Sequence, residues 1–430
     1  MRNRYEKILK QDSDLWAIIS DSNQQNTFDE IAWNVISPVI ILYTLWIVTE
    51  AEKYGLKRLY FFARDGYLMQ KIAEVLCRTR KNGIICSYFF CSRYALRMAS
   101  YHFFDETAYE RLFLHAYQLT ACSMLKRAGF DVNERKRVYA DISFQFEQEQ
   151  KTMGRAEFDS FCTKIRNSAV FREILLYKSE SAYSDMIAYI RQEEMQKYDT
   201  IGIVDLGWTG SLQATLRRLL DSDHICTKII GFYMGMLDRP PKHDSSVYYT
   251  WLFDENELYV KAWFSHNLME CICSAPHGMT MGYQNCQGKM IPIFAERENQ
   301  PELSEKIQHI IFQFMGFFHG NTAYQKHHKK IALHLLKKLM LSPTAQEAES
   351  LSRYSFCDDV GEQYHRSIVQ SGKPKDFRRE LLFCKLFYRD STDGFYWYYG
   401  SVAVSRLSIK IFYRYGYLLT RYIIMKLKRR

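Results

Sequence analysis

Three short polar segments carry the side chains best suited to chemistry in this 430-residue chain. Two of them, Arg64-Asp65-Gly66 and Ser92-Arg93, each follow an apolar run. The third, Asp205-Leu206-Gly207-Trp208-Thr209-Gly210-Ser211, follows the apolar run 201–204 and precedes a helical pattern. Phosphate groups are bound well by the guanidinium groups of arginine, by glycine backbone that a ligand can approach closely, and by the N-terminus of a helix. The three segments together predict a site for a phosphorylated ligand.

The third segment is suited to binding a phosphate group. Thr209-Gly210-Ser211 opens a helix, so its backbone N–H groups, its hydroxyls and the positive end of the helix dipole favour a dianion. Asp205, at the end of the strand, is suited to binding sugar hydroxyls or a water on Mg²⁺. The alternative is that Thr209 or Ser211 only caps the helix, as hydroxyl side chains commonly do.

The two arginine segments also admit structural explanations. Asp65 between Arg64 and Gly66 is compatible with a salt bridge in a turn, although an arginine close to a glycine suits a pyrophosphate. Arg93 is suited to the same kind of ligand. Arg97 lies four residues further on, so both arginines are also consistent with lining one face of a helix.

Glu270 is a further candidate, in an otherwise apolar run within residues 267–283. Its carboxylate is suited to contacting a hydroxyl or acting as a base, and equally to being buried and satisfied by backbone N–H groups. His266, Glu270 and His277 match no standard zinc spacing, so no metal ligand is assigned directly. His327-His328, beside two lysines, is predicted to lie on the solvated surface.

Strand patterns alternate with helical patterns in the part of the chain that holds these segments. Strands are predicted at 58–63, 84–91, 201–204 and 227–234, with helical patterns after the first and the third. This order is typical of βαβ units in a parallel sheet, where ligands bind outside the carboxyl ends of the strands. All three polar segments fall at such ends.

The predicted fold is an α/β core with a helical insertion and a helical C-terminal region. A helical lead-in occupies residues 1–50, and the core is divided between 51–120 and 201–295. Residues 121–200 are polar and helix-like, and they are too long for a simple crossover, so they are predicted to form the insertion. Residues 296–430 show helical periodicity and end in a basic amphipathic tail.

Positive charge is concentrated at the C-terminus. The net charge is +10, and residues 401–430 carry eight Lys or Arg and no acid, which leaves +2 for the first 400 residues. A nucleic-acid-binding domain would spread its cations, so that class of partner is excluded. The eleven cysteines show no CxxC pair, and no secretory signal opens the chain. Both observations indicate reduced thiols and a cytoplasmic location.

Two segments have the composition of membrane-associated helices. Ile31–Val48 has no charge over eighteen residues, but polar residues interrupt it and no basic cluster flanks it, which favours a buried core helix over a transmembrane one. In the tail, one helical face carries five cations within ~80° of arc: Arg406, Lys410, Arg414, Arg421 and Lys428. That face predicts an interfacial helix on an anionic membrane surface, with a docked terminal helix as the alternative.

Four motifs in order resemble a known family: LYFFARDGYLM, CSR, IGIVDLGWTGS and ICSAPHGMTMGY. The family comprises bacterial proteins of capsule and O-antigen gene clusters, often fused behind a haloacid-dehalogenase-like phosphatase. The resemblance spans roughly residues 31–358, and this chain begins with the helical lead-in in place of the phosphatase half. The resemblance implies a role in the biosynthesis of a surface polysaccharide.

The core in turn resembles a class I phosphoribosyltransferase, with a parallel, Rossmann-like sheet. Arg64-Asp65-Gly66 matches the Arg/Lys-x-Gly pyrophosphate loop of that family. Aligning Thr209-Gly210 with the family's Thr-Gly places Asp205 on the acid that binds the ribose hydroxyls. Val204 replaces the other acid, and Trp208 stands where nucleotide-forming members keep an acid near the base. These departures imply an acceptor other than a nucleobase, such as a sugar.

The implied reaction transfers 5-phosphoribosyl from phosphoribosyl pyrophosphate, with Mg²⁺, to a hydroxyl of a glycan or lipid-linked oligosaccharide. A separate phosphatase would act on the product, and the expected location is cytoplasmic, peripheral on the inner face of the cytoplasmic membrane. The first arginine segment and Arg93 would hold the pyrophosphate, residues 209–211 the 5-phosphate, and Asp205 the ribose hydroxyls or the Mg²⁺. The residues so assigned to the donor are Arg64, Asp65, Gly66, Arg93, Asp205, Gly207, Thr209, Gly210 and Ser211, and the candidate bases are Asp65 and Glu270.

Two other functions stay open at this point. IVDLGWTGS also resembles the phosphate-1 motif of actin-like and sugar-kinase ATPases, although there the motif lies in a hairpin near the amino terminus. The other alternative is a non-catalytic acceptor-binding or scaffold subunit of a polysaccharide assembly complex, which the missing acid at Val204 favours. A dehalogenase-type phosphatase is excluded, because Gly207 occupies the position of its second aspartate.

Overall fold

A computed structural model of the chain describes residues 2–20, 24–113, 119–238, 247–296, 301–357, 365–387 and 394–429. Its central sheet has five strands: β1 (Arg58–Phe62), β2 (Ile85–Phe89), β3 (Thr200–Trp208), β4 (Lys228–Met236) and β5 (Val247–Phe253). All five are parallel, in the order β2-β1-β3-β4-β5. The predicted mixed α/β fold with a parallel sheet is confirmed, and the four predicted strands correspond to β1–β4.

Helices and two small hairpins make up most of the remaining described residues. Before the sheet come α1 (Arg2–Leu9), α2 (Ser13–Ser20), α3 (Thr27–Ile31) and α4 (Ser37–Lys53), with a π-helical segment at Ala32–Ile36. Between β1 and β4 lie α5 (Tyr67–Arg80), α6 (Arg93–Ser100), α7 (Glu106–Leu112), α8 (Ala121–Arg127), α9 (Val132–Asp141), α10 (Arg155–Asn167), α11 (Ala169–Gln192) and α12 (Ser211–Ser222). After β5 come α13 (Leu258–Trp263), α14 (His266–Cys273), the antiparallel hairpin β6 (Thr280–Cys286) and β7 (Lys289–Phe294), then α15 (Pro301–Phe317), α16 (Lys326–Leu341) and α17 (Ala345–Leu351). The C-terminal part has the hairpin β8 (Ser355–Phe356) and β9 (Arg366–Ser367), then α18 (Pro374–Arg379), α19 (Leu382–Phe387), α20 (Tyr398–Val404) and α21 (Lys410–Leu427).

Alternating side chains of β1 serve the two faces of the sheet. Leu59 and Phe61 belong to the same buried cluster as α4 and α5. Tyr60 and Phe62 belong to a second cluster with α6, the C-terminal half of α11 and α12. Because both faces of the strand are covered, the strand is apolar throughout rather than alternating with polar residues.

The uncharged segment Ile31–Val48 lies in the centre of the molecule. Thr27–Lys53 is long and apolar enough to cross a membrane by length and composition, and its most apolar window is entirely buried. It packs between the sheet and the helices α15 and α16. A helix surrounded by protein on all sides is apolar on all sides, which accounts for the composition of this segment. The preferred interpretation, a buried core helix, agrees with this packing.

Tyr43 fastens α4 to the sheet. Its hydroxyl contacts the carbonyl oxygens of Asp205 (2.8 Å) and Phe232 (3.0 Å), on the neighbouring strands β3 and β4. We expect Tyr43→Phe to lower the free energy of unfolding by about 1–2 kcal/mol, because buried carbonyl groups lose a donor. Chemical denaturation would measure the loss, and Tyr177→Phe, at a side chain that is 79% exposed, is the control. An unchanged stability of Tyr43→Phe would contradict the assigned role.

The segment between β2 and β3 has a hydrophobic core of its own. Side chains of α7 to α10 and of the N-terminal half of α11 form a cluster separate from the two clusters on the sheet. At its edge, Arg135 pairs with Glu149 (2.9 Å), which also accepts a hydrogen bond from Tyr139 (3.2 Å). The long helix α11 leads from this cluster to the sheet, so it connects the inserted helices with the core.

The C-terminal helix α21 is oriented differently from the predicted interfacial helix. Lys410 Nζ donates to the Ala403 carbonyl (2.6 Å) and Arg414 Nη2 donates to the Pro343 carbonyl (2.7 Å). Part of the predicted basic face therefore points toward the body, where carbonyl groups near the ends of α20 and α16 need donors. Burial lowers the pKa of Arg414. Membrane association itself stays a prediction.

Candidate functional site

A cavity of about 360 Å³ opens at the carboxyl edge of the sheet. It lies between β1 and β3, which are neighbours in the sheet although β2 comes between them in the sequence. Such a point, where consecutive connections leave in opposite directions, creates a crevice outside the strand ends. The volume falls within the range of about 300–1,000 Å³ that is usual for small-molecule sites.

The three polar segments come together in this cavity. The predicted site residues that line it are Arg64, Asp65, Arg93, Asp205, Gly207, Thr209, Gly210, Ser211 and Glu270. Gly66 is the exception. It precedes α5, and a Cβ there would lie 2.7 Å from the Phe62 carbonyl oxygen, so its glycine allows α5 to begin close to β1.

Three helices, α5, α6 and α12, begin beside the cavity. The N-cap residue of α12 is Gly210, whose φ of 68° suits glycine and which has no side chain for the first-turn amides. Thr209 Oγ1 donates to Ser211 Oγ (3.2 Å). The hydroxyls of Thr209 and Ser211 are thus directed at each other, and the alternative that one of them only caps α12 is not supported.

Ser92 has a structural role at the start of α6. Its Oγ accepts from the amide of Ala95 (3.0 Å) and donates to the Thr280 carbonyl (2.6 Å). The hydroxyl therefore caps α6 and attaches it to β6. Arg93, the next residue, is exposed and lines the cavity.

Strand β3 continues four residues beyond its predicted end, to Trp208. Gly207 has a φ of 115°, and a Cβ there would lie 2.4 Å from the carbonyl oxygen of Gly235 on β4. Only glycine fits this approach. The left-handed backbone continues at Trp208, with φ at 82°. Its indole Nε1 donates to Glu270 Oε1 (2.6 Å).

The Trp208 contact determines which interpretation of Glu270 the structure supports. Glu270 lies on α14, half-buried in the cavity wall, and its carboxylate accepts a hydrogen bond from the indole rather than from backbone N–H groups. The bond occupies one carboxylate oxygen and orients the side chain. His277, which the sequence places near Glu270, is engaged elsewhere, with Tyr88 (2.8 Å) and the Gly278 carbonyl (2.8 Å).

Three carboxyl groups in the cavity have raised pKa values. Burial raises the pKa of Asp65 well above its usual range, and Glu270 and Asp205 raise it further. Burial and Glu270 raise the pKa of Asp205 to about 7. Burial likewise raises the pKa of Glu270, although Arg93 opposes this. Carboxyl groups whose pKa is raised in a cleft are suited to accepting and giving protons.

Cationic groups surround the same cavity. Arg64 and Arg93 come from the ends of β1 and β2, and Arg353 comes from the C-terminal part of the chain. Burial, Arg421 and Arg93 lower the pKa of the cavity residue His266 to about 3, so this imidazole is neutral at physiological pH. Two arginines next to helix N-termini are suited to binding an anionic ligand.

The donor set of the cavity fits Mg²⁺, which prefers carboxylate and phosphate oxygens. Asp65, Asp205 and Glu270 supply carboxylates whose mutual repulsion a divalent cation would relieve. Their oxygens do not converge into a three-ligand metal cluster in the part of the chain that the structure describes, so an ion here would be held mainly by the phosphate oxygens of the ligand, with one or two of these carboxylates.

A second cluster, Asp12 with His327 and His328, has ligand atoms close enough for a metal. However, the amide of Gln325 donates to His328 Nδ1 (3.1 Å), which directs the proton of the neutral ring to Nε2 and so toward Asp12 (3.1 Å). His327 Nε2 contacts the same carboxylate oxygen (2.8 Å). This arrangement is a hydrogen-bonded contact rather than a Mg²⁺ site. The predicted solvated position is wrong for His328, which is 2% exposed, because the N-terminal segment packs against α16.

Sequence reasoning missed the far wall of the cavity. That wall comes from α14, α15 and the β8–β9 region. It includes Asn267, Ser304, Arg353 and His365, together with His266, which the sequence analysis considered only as a metal ligand. Asn267 is tied to the C-terminal region by a hydrogen bond to the Tyr396 carbonyl (3.3 Å). No local motif marks these residues, since their position depends on how the C-terminal helices pack.

Comparison of the sequence with protein-family models gives no match, and comparison with curated proteins gives none either. The chemistry of the cavity is therefore the basis for assigning a function.

Proposed function

We propose that the protein is a phosphoribosyltransferase-type glycosyltransferase, which transfers 5-phosphoribosyl from phosphoribosyl pyrophosphate to a glycan hydroxyl. One observation carries the proposal: several groups suited to a phosphorylated sugar line a single cavity at the β1/β3 crevice. They are the N-terminus of α12 with its N-cap Gly210, two arginines that follow β1 and β2, and three carboxyl groups. The choice of a surface glycan as acceptor comes from the resemblance of the motifs to polysaccharide-biosynthesis proteins.

The two ends of the donor would occupy opposite parts of the cavity. The N-terminus of α12, with Thr209 and Ser211, would hold the 5-phosphate. Arg64 and Arg93, with the N-terminus of α5, would hold the pyrophosphate, because a guanidinium fork matches phosphate oxygens. Asp205, on β3 and in the cavity lining, would accept hydrogen bonds from the ribose hydroxyls.

The reaction exchanges one bond at C1 of the ribose for another. The bond from C1 to the pyrophosphate oxygen breaks, the acceptor oxygen forms a new bond to C1, and the acceptor's proton passes to Asp65 or Glu270. Arg64 and Arg93 would stabilise the negative charge that develops on the leaving pyrophosphate. Mg²⁺, bound with the donor, would supply further charge neutralisation at the same group.

The test is a titration of the purified protein with phosphoribosyl pyrophosphate and Mg²⁺, beside the double variant Asp205→Ala, Thr209→Ala. We expect saturable binding by the wild type and at least about a 100-fold weaker binding by the variant, because charge-assisted contacts are lost at two points. A rise in the melting temperature of the wild type when the donor is added, and no rise when ATP is added, would support the assignment.

Each other outcome has a distinct meaning. No donor binding by folded wild type would refute the proposal. A thermal shift with ATP alone would favour an ATP-binding enzyme, although the segment 205–211 joins a strand to a helix here and does not lie in a hairpin. Donor binding without turnover on any glycan would favour a non-catalytic acceptor-binding or scaffold subunit.

A further inference from the structure

The outward side of α21 is apolar. Ile411, Phe412, Tyr415 and Leu419 are 68%, 56%, 55% and 55% exposed. At 100° per residue these four side chains lie within about 100° of arc, and Ile409, which is 64% exposed, precedes them. These five residues are called the apolar stripe below. Exposed large apolar side chains that lie singly need no explanation, whereas a continuous group of them indicates a binding surface.

The inward side of the helix explains why the stripe points outward. Tyr413, Leu418 and Thr420 are buried, and the ring of Tyr417 stacks on that of Tyr398 with centroids 3.8 Å apart. On the flank, Lys410 and Arg414 donate to carbonyl groups of the body. These contacts hold α21 against the body of the protein, and the apolar stripe takes no part in that packing.

Cations lie at both ends of the apolar stripe. Arg406 is exposed just before the helix, and Lys426, Lys428 and Arg429 are exposed at its end. Lys426 falls within the same arc as the stripe. Residues 401–430 contain no acid, so α21 itself contributes only apolar side chains and positive charge to this surface.

The charge distinguishes between two kinds of occupant. In a symmetric dimer the same patch would face itself, which would bring the cations of two copies together without an acid to offset them. An anionic lipid surface instead supplies negative headgroups for the cations and a hydrocarbon boundary for the apolar side chains. The composition of the patch therefore favours lipid over a second copy.

We propose that α21 is a membrane-docking helix that lies along an anionic lipid surface with the apolar stripe inserted between the headgroups. This docking does not depend on the donor.

The test is flotation of the full chain with vesicles of phosphatidylcholine alone and of phosphatidylcholine mixed with phosphatidylglycerol. We expect binding to the mixed vesicles only. The variant Ile411→Ser, Phe412→Ser, Tyr415→Ser, Leu419→Ser should bind at least about 100-fold more weakly, because the buried apolar area is lost. Tyr177→Ser, at an apolar side chain on α11 that is 79% exposed, is the matched control and should bind as the wild type does.

The charge contribution is measured separately with Arg406→Gln, Lys428→Gln, Arg429→Gln, which should weaken binding by about 100-fold at low salt. Equal vesicle binding by the stripe variant and the control, with unchanged melting temperatures, would refute the proposal. A wild type that does not bind the mixed vesicles would also refute it. If the wild type forms a concentration-dependent dimer that the stripe variant does not form, the patch is instead an interface with a second copy. Donor titration without lipid is unaffected by these outcomes, so the two proposals fail independently.

Discussion

Arg64→Ala is expected to lower kcat/KM for phosphoribosyl transfer by about 10³-fold. The side chain lies at the carboxyl end of β1, in the cavity and directly before the turn that begins α5. There it would stabilise the charge that forms on pyrophosphate as the C1–oxygen bond breaks, and removing one preorganised donor of this kind costs about 10²–10³ in rate. Loss of ground-state affinity for the donor adds to that effect. The measurement is the initial rate of pyrophosphate release at varied donor concentration.

Two further variants separate this role from a general effect on the fold. Arg58→Ala removes the same residue type from the opposite end of the same strand, where Arg58 lies over the Tyr60 ring, and should leave KM for the donor unchanged. Arg64→Lys keeps the charge but loses the fork, so it should restore only part of the rate. A full rate in Arg64→Ala would exclude Arg64 from the pyrophosphate site.

Asp205→Asn is expected to raise the free energy of unfolding at pH 8 by about 2–4 kcal/mol. Burial and Glu270 raise the folded-state pKa of Asp205 from 3.8 to about 7. Between these two values the folded protein keeps a proton that the unfolded chain has released, so stability falls as the pH rises from about 4 to about 7. Each unit of the pKa difference is worth about 1.4 kcal/mol. Asparagine has no proton to lose and escapes this penalty.

The sign of the effect is checked by repeating chemical denaturation at pH 4 and pH 8. Near pH 4 Asp205 is protonated in the folded state and partly so in the unfolded state, so most of the advantage of asparagine should disappear. Asp199→Asn makes the same change at an exposed position at the other end of β3, and should have no comparable pH dependence. A gain that is equal at both pH values would contradict the assigned origin. Activity should fall while stability rises, as is common for strained binding sites.

The sheet could be predicted largely from the sequence because its inner strands are covered on both faces. Burial makes β1 and the first part of β3 (201–204) apolar runs. Strand β3 then continues through Asp205 to Trp208, so its end is not marked by the first polar residue. Strand β5 has no counterpart among the predicted strands. It lies at the edge of the sheet, and its first residues are half-exposed tyrosines and a threonine rather than an apolar run. Edge strands give weaker patterns for this reason.

The near half of the cavity could be predicted, and the far half could not. Arg64 and Arg93 come within four residues of the ends of β1 and β2, and Asp205 lies near the carboxyl end of β3. Their convergence therefore follows from the topology of a parallel sheet. Arg353 follows no strand, and helix packing alone brings it to the cavity. The contact between Trp208 and Glu270 joins residues 62 apart in the chain. The sequence presents both residues but offers no sign that one is the hydrogen-bond partner of the other.

The tail illustrates a limit of helical periodicity. Periodicity places Lys410 and Arg414 on one side of a helix, but it does not say whether that side faces solvent. Here both residues donate to carbonyl groups of the body. The nearby polar atoms, rather than the amphipathic pattern, decide which side of α21 faces outward.

The burial of α4 has a consequence for how the chain is made. During translation this apolar helix leaves the ribosome long before the partners that cover it. Tyr43 bonds to a residue 189 positions later, and its ring stacks on that of Trp251. At synthesis rates of about 5–20 residues per second, roughly 10–40 s pass between the synthesis of α4 and that of β4 and β5, and more before α16 is made. Throughout that interval α4 has α5 to pack against but not β4, β5 or α16, so part of its apolar surface stays uncovered on the nascent chain. We therefore expect the yield of folded protein to fall when chaperones that bind apolar segments are depleted.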